Sequence, residues 1–428
     1  MNRVKWMIIL AAFLSCKFVL AQNKYSPYTV FGVGDLNGMA LANNAAMGNV
    51  GIATPSVWHV NNMNPALLTY NSLTVFEIGV EGENRTVSNE FNSVKVGTGG
   101  FKYLTLAFPI IPNKWTSNIG LMPYSSVNYS FSTRQDVDGT NVDAIFDFEG
   151  DGGLNQVYFS NGLKIAKGLS AGLRMSYIFG LTEARTSIYL DGEGVTQQFP
   201  TGRHEKTNYS GFDLGLGFFY SKAVTETNLL NFGLTYDLGG NINGNRLDRL
   251  EIETTTGNYV PGDTLINDES GKYQLPAELG VGFSWQILNK LSIGLDIKRS
   301  FWQENAGFLY DDTSLGQDAE EYRSTWAIGL GFQITPKYND VNSYLKRIKY
   351  RIGLDYKQEP FVIDGKTINN FGINFGWSLP VKGVSAINMA VKYGQRGEAS
   401  GVLVKEQYFK FVLGATINDR WFVRRKYN

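Results

Sequence analysis

From Leu73 onward the chain alternates apolar side chains with small or polar ones over runs of about ten residues, each followed by a turn. Trp326, Ile328, Leu330, Phe332 and Ile334 alternate with Ala327, Gly329, Gly331 and Gln333, and Phe212 to Tyr220 and Leu279 to Trp285 repeat the pattern. A period of two gives a strand with one greasy face and one small or polar face. Such cores lie near residues 73–81, 101–109, 117–131, 154–165, 169–181, 209–221, 229–238, 275–286, 291–299, 322–335, 348–357, 367–379, 385–394 and 407–417, about fourteen in all. The count is even and the strands are long enough to cross a bilayer. The expected fold is therefore all-β: a closed transmembrane antiparallel barrel, which satisfies every backbone group in lipid.

A soluble sandwich also alternates, so the contents of the other face matter. That face carries Arg174, Asp213, Asp237, Glu278, Asp296, Lys298, Arg351 and Asp355, with Lys392 and Lys410. In a barrel these are lumenal polar residues. Long connections are expected near 82–100, 132–153, 182–208, 239–274 and 300–321, short ones at Ala166 to Gly168 and Leu288 to Lys290. Long loops outside and short turns in the periplasm put the C-terminus in the periplasm. Aromatics near strand ends, among them Tyr103, Trp115, Tyr129, Trp285, Trp326, Tyr356, Trp377 and Tyr393, are expected in the two interfacial girdles.

Residues 1–21 change the compartment. A basic start at Arg3 and Lys5, an apolar run from Met7 to Leu14 and small residues at Val19 and Ala21 read as a signal peptide cleaved after Ala21. The only cysteine, Cys16, lies inside it, so the mature chain has neither disulfides nor thiolate ligands unless Cys16 is a lipidation site. Export and a strand barrel together place the protein in the cell outer membrane, in contact with its lipid.

Composition excludes several classes. Thirty-nine charges of each sign give no electrostatic footprint for nucleic acid. Two histidines, His59 and His204, build neither a metal cluster nor a base paired to a nucleophile, so no metal, cofactor or enzymatic activity is expected.

Between residues 22 and 72 the alternation stops, yet Tyr25, Tyr28, Phe31, Met47, Val50, Trp58 and Leu67 supply too much apolar surface for a disordered tail. The organisation is thus a signal peptide (1–21), an N-terminal plug (22–72), a barrel (73–417) and a periplasmic tail (418–428). The run Ala45-Ala46-Met47-Gly48-Asn49-Val50-Gly51-Ile52-Ala53, followed by Asn64-Pro65-Ala66 just before the first strand, resembles the hatch of the FadL family of outer-membrane long-chain fatty acid transporters. Pro65 fixes its own backbone and biases Asn64 away from helix, so Asn64, Pro65 and Ala66 form a rigid turn from plug to wall as well as a hatch motif.

The resemblance implies a 14-stranded barrel filled by its hatch. It also implies a kink in the third strand that opens a lateral path. Pro123, in Gly120-Leu121-Met122-Pro123-Tyr124, is the lateral-gate candidate, because proline removes a ladder hydrogen bond and a closed barrel has no edge to hide it. Lumenal glycines such as Gly162, Gly172, Gly217, Gly233, Gly353 and Gly414 either let the plug approach the wall or permit curvature. Beyond the last strand, Trp421, Phe422, Arg424 and Arg425 are candidates for docking a partner.

Two functions follow from the resemblance. One is passive transport of a small hydrophobic molecule past the plug with lateral exit. The other is a non-transporting FadL-like subunit of an outer-membrane assembly, secretion or surface-display complex, with outer-membrane or periplasmic protein partners. The polar stretch 239–274 fits apolar capture poorly.

Overall fold

The computed structural model describes residues 26–192, 199–254, 259–303, 305–312, 317–381, 385–401 and 403–420. The expected signal peptide and the docking candidates Trp421, Phe422, Arg424 and Arg425 lie outside them.

Fourteen antiparallel strands close into one barrel. They are β1 (Thr74–Ser88), β2 (Ser93–Ile111), β3 (Trp115–Pro123 and Ser125–Asp136), β4 (Val142–Ala166), β5 (Leu169–Gly192), β6 (Thr201–Ala223) and β7 (Asn228–Asp237 and Gly240–Glu253). The circuit continues with β8 (Tyr259–Leu275 and Ala277–Ile287), β9 (Leu291–Phe301 and Asn305–Tyr310), β10 (Gln317–Glu321 and Thr325–Ile334), β11 (Lys349–Ile363), β12 (Lys366–Pro380), β13 (Ala386–Arg396) and β14 (Lys405–Asp419). Each strand pairs with its sequence neighbour, and β1 pairs with β14 from Thr74↔Asp419 to Ser88↔Lys405 to seal the cylinder. Every one of the expected strand cores overlaps one of these strands.

The greasy face points out. Leu173, Met175 and Tyr177 on β5, Phe212, Leu214 and Phe218 on β6, and Phe232 and Leu234 on β7 are all exposed. Neighbouring rings pack across strands in this belt, Tyr177 with Phe212 at 5.0 Å and Phe232 with Phe283 at 5.2 Å. Trp115, Trp285, Trp326, Trp377 and Tyr393 face the exterior as girdle residues should, but Tyr103 and Tyr129 are buried. Tyr103 lies on the inward parity of β2, and its hydroxyl accepts from the Ala42 N–H at 3.4 Å.

One expectation is revised. The stretches expected to be long loops are mostly strand: β4, β5 and β6 contain 25, 24 and 23 residues. At about 3.3 Å per residue a 25-residue strand runs roughly 80 Å, far beyond the ~30 Å hydrocarbon layer. Past the bilayer a paired hairpin no longer needs a greasy face. Cross-strand pairs such as Glu183 with Lys206 at 3.0 Å and Arg134 with Asp191 at 3.0 Å hold it instead, and the period-two signal fades. The extension is one-sided, since β13 has only 11 residues.

The wall parts at one place. In β3, Tyr124, Ser125 and Ser126 stand opposite only Gly153 and Leu154 of β4, because the register passes from Pro123↔Asn155 to Val127↔Gly152. This is a bulge of one residue. Gly153 adopts φ +137°, and a Cβ there would meet the Ser125 carbonyl, so the bend needs glycine. Beyond it β3 leaves β2: Leu104–Ile111 pair with Leu121–Trp115, whereas Ser93–Tyr103 pair with β1 alone.

Candidate functional site: the lumen and its N-terminal segment

Residues 26–72 rest on the inner face of the barrel, following it from the long-hairpin end to the short-turn end. At the long-hairpin end a 3-10 turn, Pro27–Val30, stacks Tyr28 and Phe31 on Phe361 of β11, the latter at 4.5 Å between ring centres. Asp35 and Leu36 pair antiparallel with Ser126 and Ser125, and the Ser26 N–H donates to the Asn128 carbonyl at 3.0 Å. The edge of β3 freed by the bulge is thus partly covered by this segment.

In the middle the segment approaches the wall backbone to backbone. A Cβ on Gly353 would overlap the Met47–Gly48 peptide, one on Gly331 the Met47 carbonyl, and one on Gly233 the Ile52 carbonyl. Only wall glycines leave this room. The Gly51 and Ile52 N–H groups donate to one oxygen of Asp296 on β9, at 2.6 and 2.8 Å. Two otherwise orphaned donors are thereby satisfied inside the protein.

At the short-turn end Asn64 and Pro65 start a 3-10 turn, Pro65–Tyr70. The Asn64 side-chain oxygen accepts from the Ala66 N–H at 3.0 Å, while its amide donates to the carbonyls of Ile52 (2.8 Å) and Phe218 of β6 (3.0 Å). One buried asparagine therefore caps the turn and ties it to both segment and wall. Pro65 and Ala66 sit where Gly162, Gly172 and Gly217 leave space. His59 is buried near Lys349 and Arg351, and burial together with these cations holds its imidazole well below its usual range. Its Nδ1 lies 3.6 Å from Glu77 of β1.

Between residues 26–49 and the wall lies a cavity of about 420 Å³. Its lining is mixed: Phe31, Met39, Met63, Trp302 and Val412 face it beside a set of ion pairs. Arg174 meets Asp237 at 2.5 Å and donates to the Asn62 carbonyl at 3.3 Å. Lys298 donates to Glu278 at 2.7 Å, Lys392 to Asp355 at 2.5 Å, and Asp213 accepts from the Gly239 N–H at 3.1 Å. Of the lumenal polar residues expected from sequence, Arg351 stands apart near the short-turn end, donating to Gln333 and Ser378 at 2.8 and 2.6 Å. His204, placed by sequence in a loop, is a buried strand residue with Nδ1 3.0 Å from Glu251.

The densest cluster went unread. Arg396 reaches Asp35 at 2.8 Å, Glu406 at 3.3 Å and Glu359 at 3.8 Å, with its guanidinium 4.8 Å from the Tyr28 ring centre. Arg85 bridges Glu83 (2.6 Å) and Glu406 (2.7 Å), and Ser26 donates its hydroxyl to Glu406 at 2.6 Å. Burial works against a charge on Asp35, but the Arg396 guanidinium outweighs it and holds the carboxyl below its usual range. Parity was the available signal: Arg396 continues the inward series Lys392, Gly394, and Glu406 the series Lys410, Tyr408.

A closed barrel with an apolar belt, an inward N-terminal segment and a broken third strand is the fold of FadL-type outer-membrane barrels. Similar solved structures are the toluene transporter TodX of Pseudomonas putida (15% identity, 91% of this chain and 100% of that one, TM-score 0.57) and the toluene transporter TbuX of Ralstonia pickettii (17%, 90% and 99%, 0.56). A FadL homologue of Pseudomonas aeruginosa is comparable (14%, 90% and 99%, 0.55). At these identities the likeness is one of fold. No curated protein matches the sequence. The BamG family model matches residues 3–428, and the chain belongs to the BamG family.

Proposed function

We propose that this protein is a membrane-embedded subunit of an outer-membrane protein assembly or export complex, a FadL-type barrel in which residues 26–72 act as a standing plug. The observation that carries this reading is the set of ion pairs built into the cavity's mixed wall. An apolar solute lodged beside Arg174–Asp237, Lys298–Glu278, Lys392–Asp355 and the Arg396 cluster would take water from charges without replacing its hydrogen bonds. Opening the plug would separate Arg396 from Asp35 and Asp296 from two backbone donors. Separating a buried charge from its partner costs about 3–5 kcal/mol. In this reading the short turns and the C-terminus face the periplasm, as in barrels of this class.

A second reading is favoured by the parting of β2 from β3 and by the stacked rings on the inner face above it. Phe131 and Phe148 lie 5.1 Å apart, with Tyr129 beside Phe131 at 5.9 Å. They line a route for a small hydrophobic molecule with lateral exit at Pro123, consistent with toluene transport by TodX and TbuX.

Purification from native membranes in mild detergent separates the two. Stoichiometric protein partners are expected. A solitary barrel that carries an apolar ligand, and admits toluene when reconstituted in liposomes, would replace the first reading by the second.

A further inference from the structure

Among the described residues, the connections Pro112–Lys114, Lys167–Gly168, Val224–Thr227 and Leu288–Lys290 at the short-turn end are tight, whereas Thr335–Ile348 between β10 and β11 is long. This turn is built rather than slack. Asp340 folds beneath it and accepts the N–H groups of Asn342 and Ser343 at 2.9 and 2.8 Å, with Lys337 and Lys346 within 3.4 and 3.9 Å of its carboxylate. The Lys337 N–H closes the base on the Lys346 carbonyl at 2.8 Å, and the Tyr344 hydroxyl anchors one side to the Pro380 carbonyl at 3.0 Å.

What this framework presents is apolar. Val341, at the midpoint of the turn, is 94% exposed, Leu345 66% and Tyr338 56%. Exposed apolar residues clustered on one ordered turn mark a contact surface more often than scattered ones do. Around them the charge is predominantly basic: the described turn residues at this end include Lys114, Lys167, Lys290, Lys337, Lys346 and Arg347 against Glu226 and Asp340, the last shared between the exposed Lys337 and Lys346. An apolar centre with a basic rim is the surface that complements an apolar patch rimmed by carboxylates.

We propose that the Thr335–Ile348 turn docks an acidic protein on the periplasmic side of the outer membrane, with Val341 and Leu345 as the buried centre and Lys337 and Lys346 as the charged rim. This rests on the subunit reading above and names the partner's chemistry. A protein is favoured over the lipid surface because Val341 crowns the turn midway between Thr335 and Ile348, the two residues that join the wall. Ile110 and Ile111, at the edge of the wall itself, are each 46% exposed, against 94% for Val341.

The test uses the full chain in its native membrane, with Val341 replaced by photoreactive p-benzoylphenylalanine. Illumination is expected to give one protein adduct whose cross-linked peptide lies in an acidic segment. Lys337→Glu with Lys346→Glu should reduce it roughly tenfold, as like charges meet across the contact. Lysines placed at the partner's acidic positions should restore it. Heat-modifiable gel mobility reports whether each variant barrel is folded, and Asn339→Ala beside the rim serves as a neutral control. A phospholipid adduct, no adduct, or an adduct indifferent to the charge reversal overturns the docking proposal. If partners still co-purify in those cases, the subunit reading survives and only this docking site is lost.

Discussion

Gly353 of β11 lies against Gly48 with no side chain between them, so at this point the N-terminal segment touches the wall through peptide alone. A Cβ on either glycine would overlap the other element's backbone, and Gly48 also adopts φ +69°. Gly353→Val is expected to destabilise by about 1–3 kcal/mol through overpacking. Gly48→Ala adds left-handed strain of about 1–2 kcal/mol. Urea titration followed by heat-modifiable mobility measures both; unchanged midpoints would mean that the close approach contributes nothing.

Asn64 performs three bonds at once, so its variants should separate them. Asn64→Ala loses the cap and both donors and is expected to cost about 2–4 kcal/mol. Asn64→Asp keeps the oxygen that accepts from Ala66 but loses the amide that donates to Ile52 and Phe218. Its second carboxylate oxygen would face those two carbonyls, acceptor against acceptor in a fully buried site, so its unfolding midpoint at neutral pH should fall to that of alanine or below.

Acid should loosen the long-hairpin end of the segment. The Asp35 carboxyl is held below its usual range by Arg396, so its stabilisation is present above the unfolded value near about 4 and is lost as the pH falls through the folded value. Protection factors of residues 26–36, referred to the intrinsic amide rate at each pH, should fall on acidification through that window. Asp35→Asn should remove this pH dependence and weaken the segment at neutral pH by about 1–3 kcal/mol; Arg396 keeps Glu406 and Glu359 as partners, which limits the loss.

Pro123 closes the first half of β3, and the wall parts immediately after it. Pro123→Val supplies a backbone donor and is expected to let β2 and β3 pair further toward the long-hairpin end. Slower amide exchange at Lys102 and Tyr103 would register the extension. Equal exchange would show that Gly152 and Gly153, with φ of +110° and +137°, impose the break without the proline.

The barrel was legible because a lipid-facing strand must alternate: Phe212 to Tyr220 and Trp326 to Ile334 each record one wall segment in local sequence. The hairpin extensions were not, because residues such as Asp147 and Glu183 stand on strands with water on both sides, where no periodicity is enforced. Asp296 could be placed in the lumen from its parity. That it accepts from Gly51 and Ile52, 245 and 244 residues away, is a tertiary fact with no local trace. The same holds for Arg396 and Asp35, although parity could have put Arg396 inside.

The unequal strand lengths have one more consequence. A cylinder with a level rim is the same from every azimuth and can spin in the membrane without changing what it offers. Here the rim is oblique, tall over β4 to β6 and low over β13, so the molecule has a front and a back. Whatever stands beside it outside the membrane meets a wall on one flank and a sill on the other, and rotation about the membrane normal becomes a coordinate that a neighbour can read.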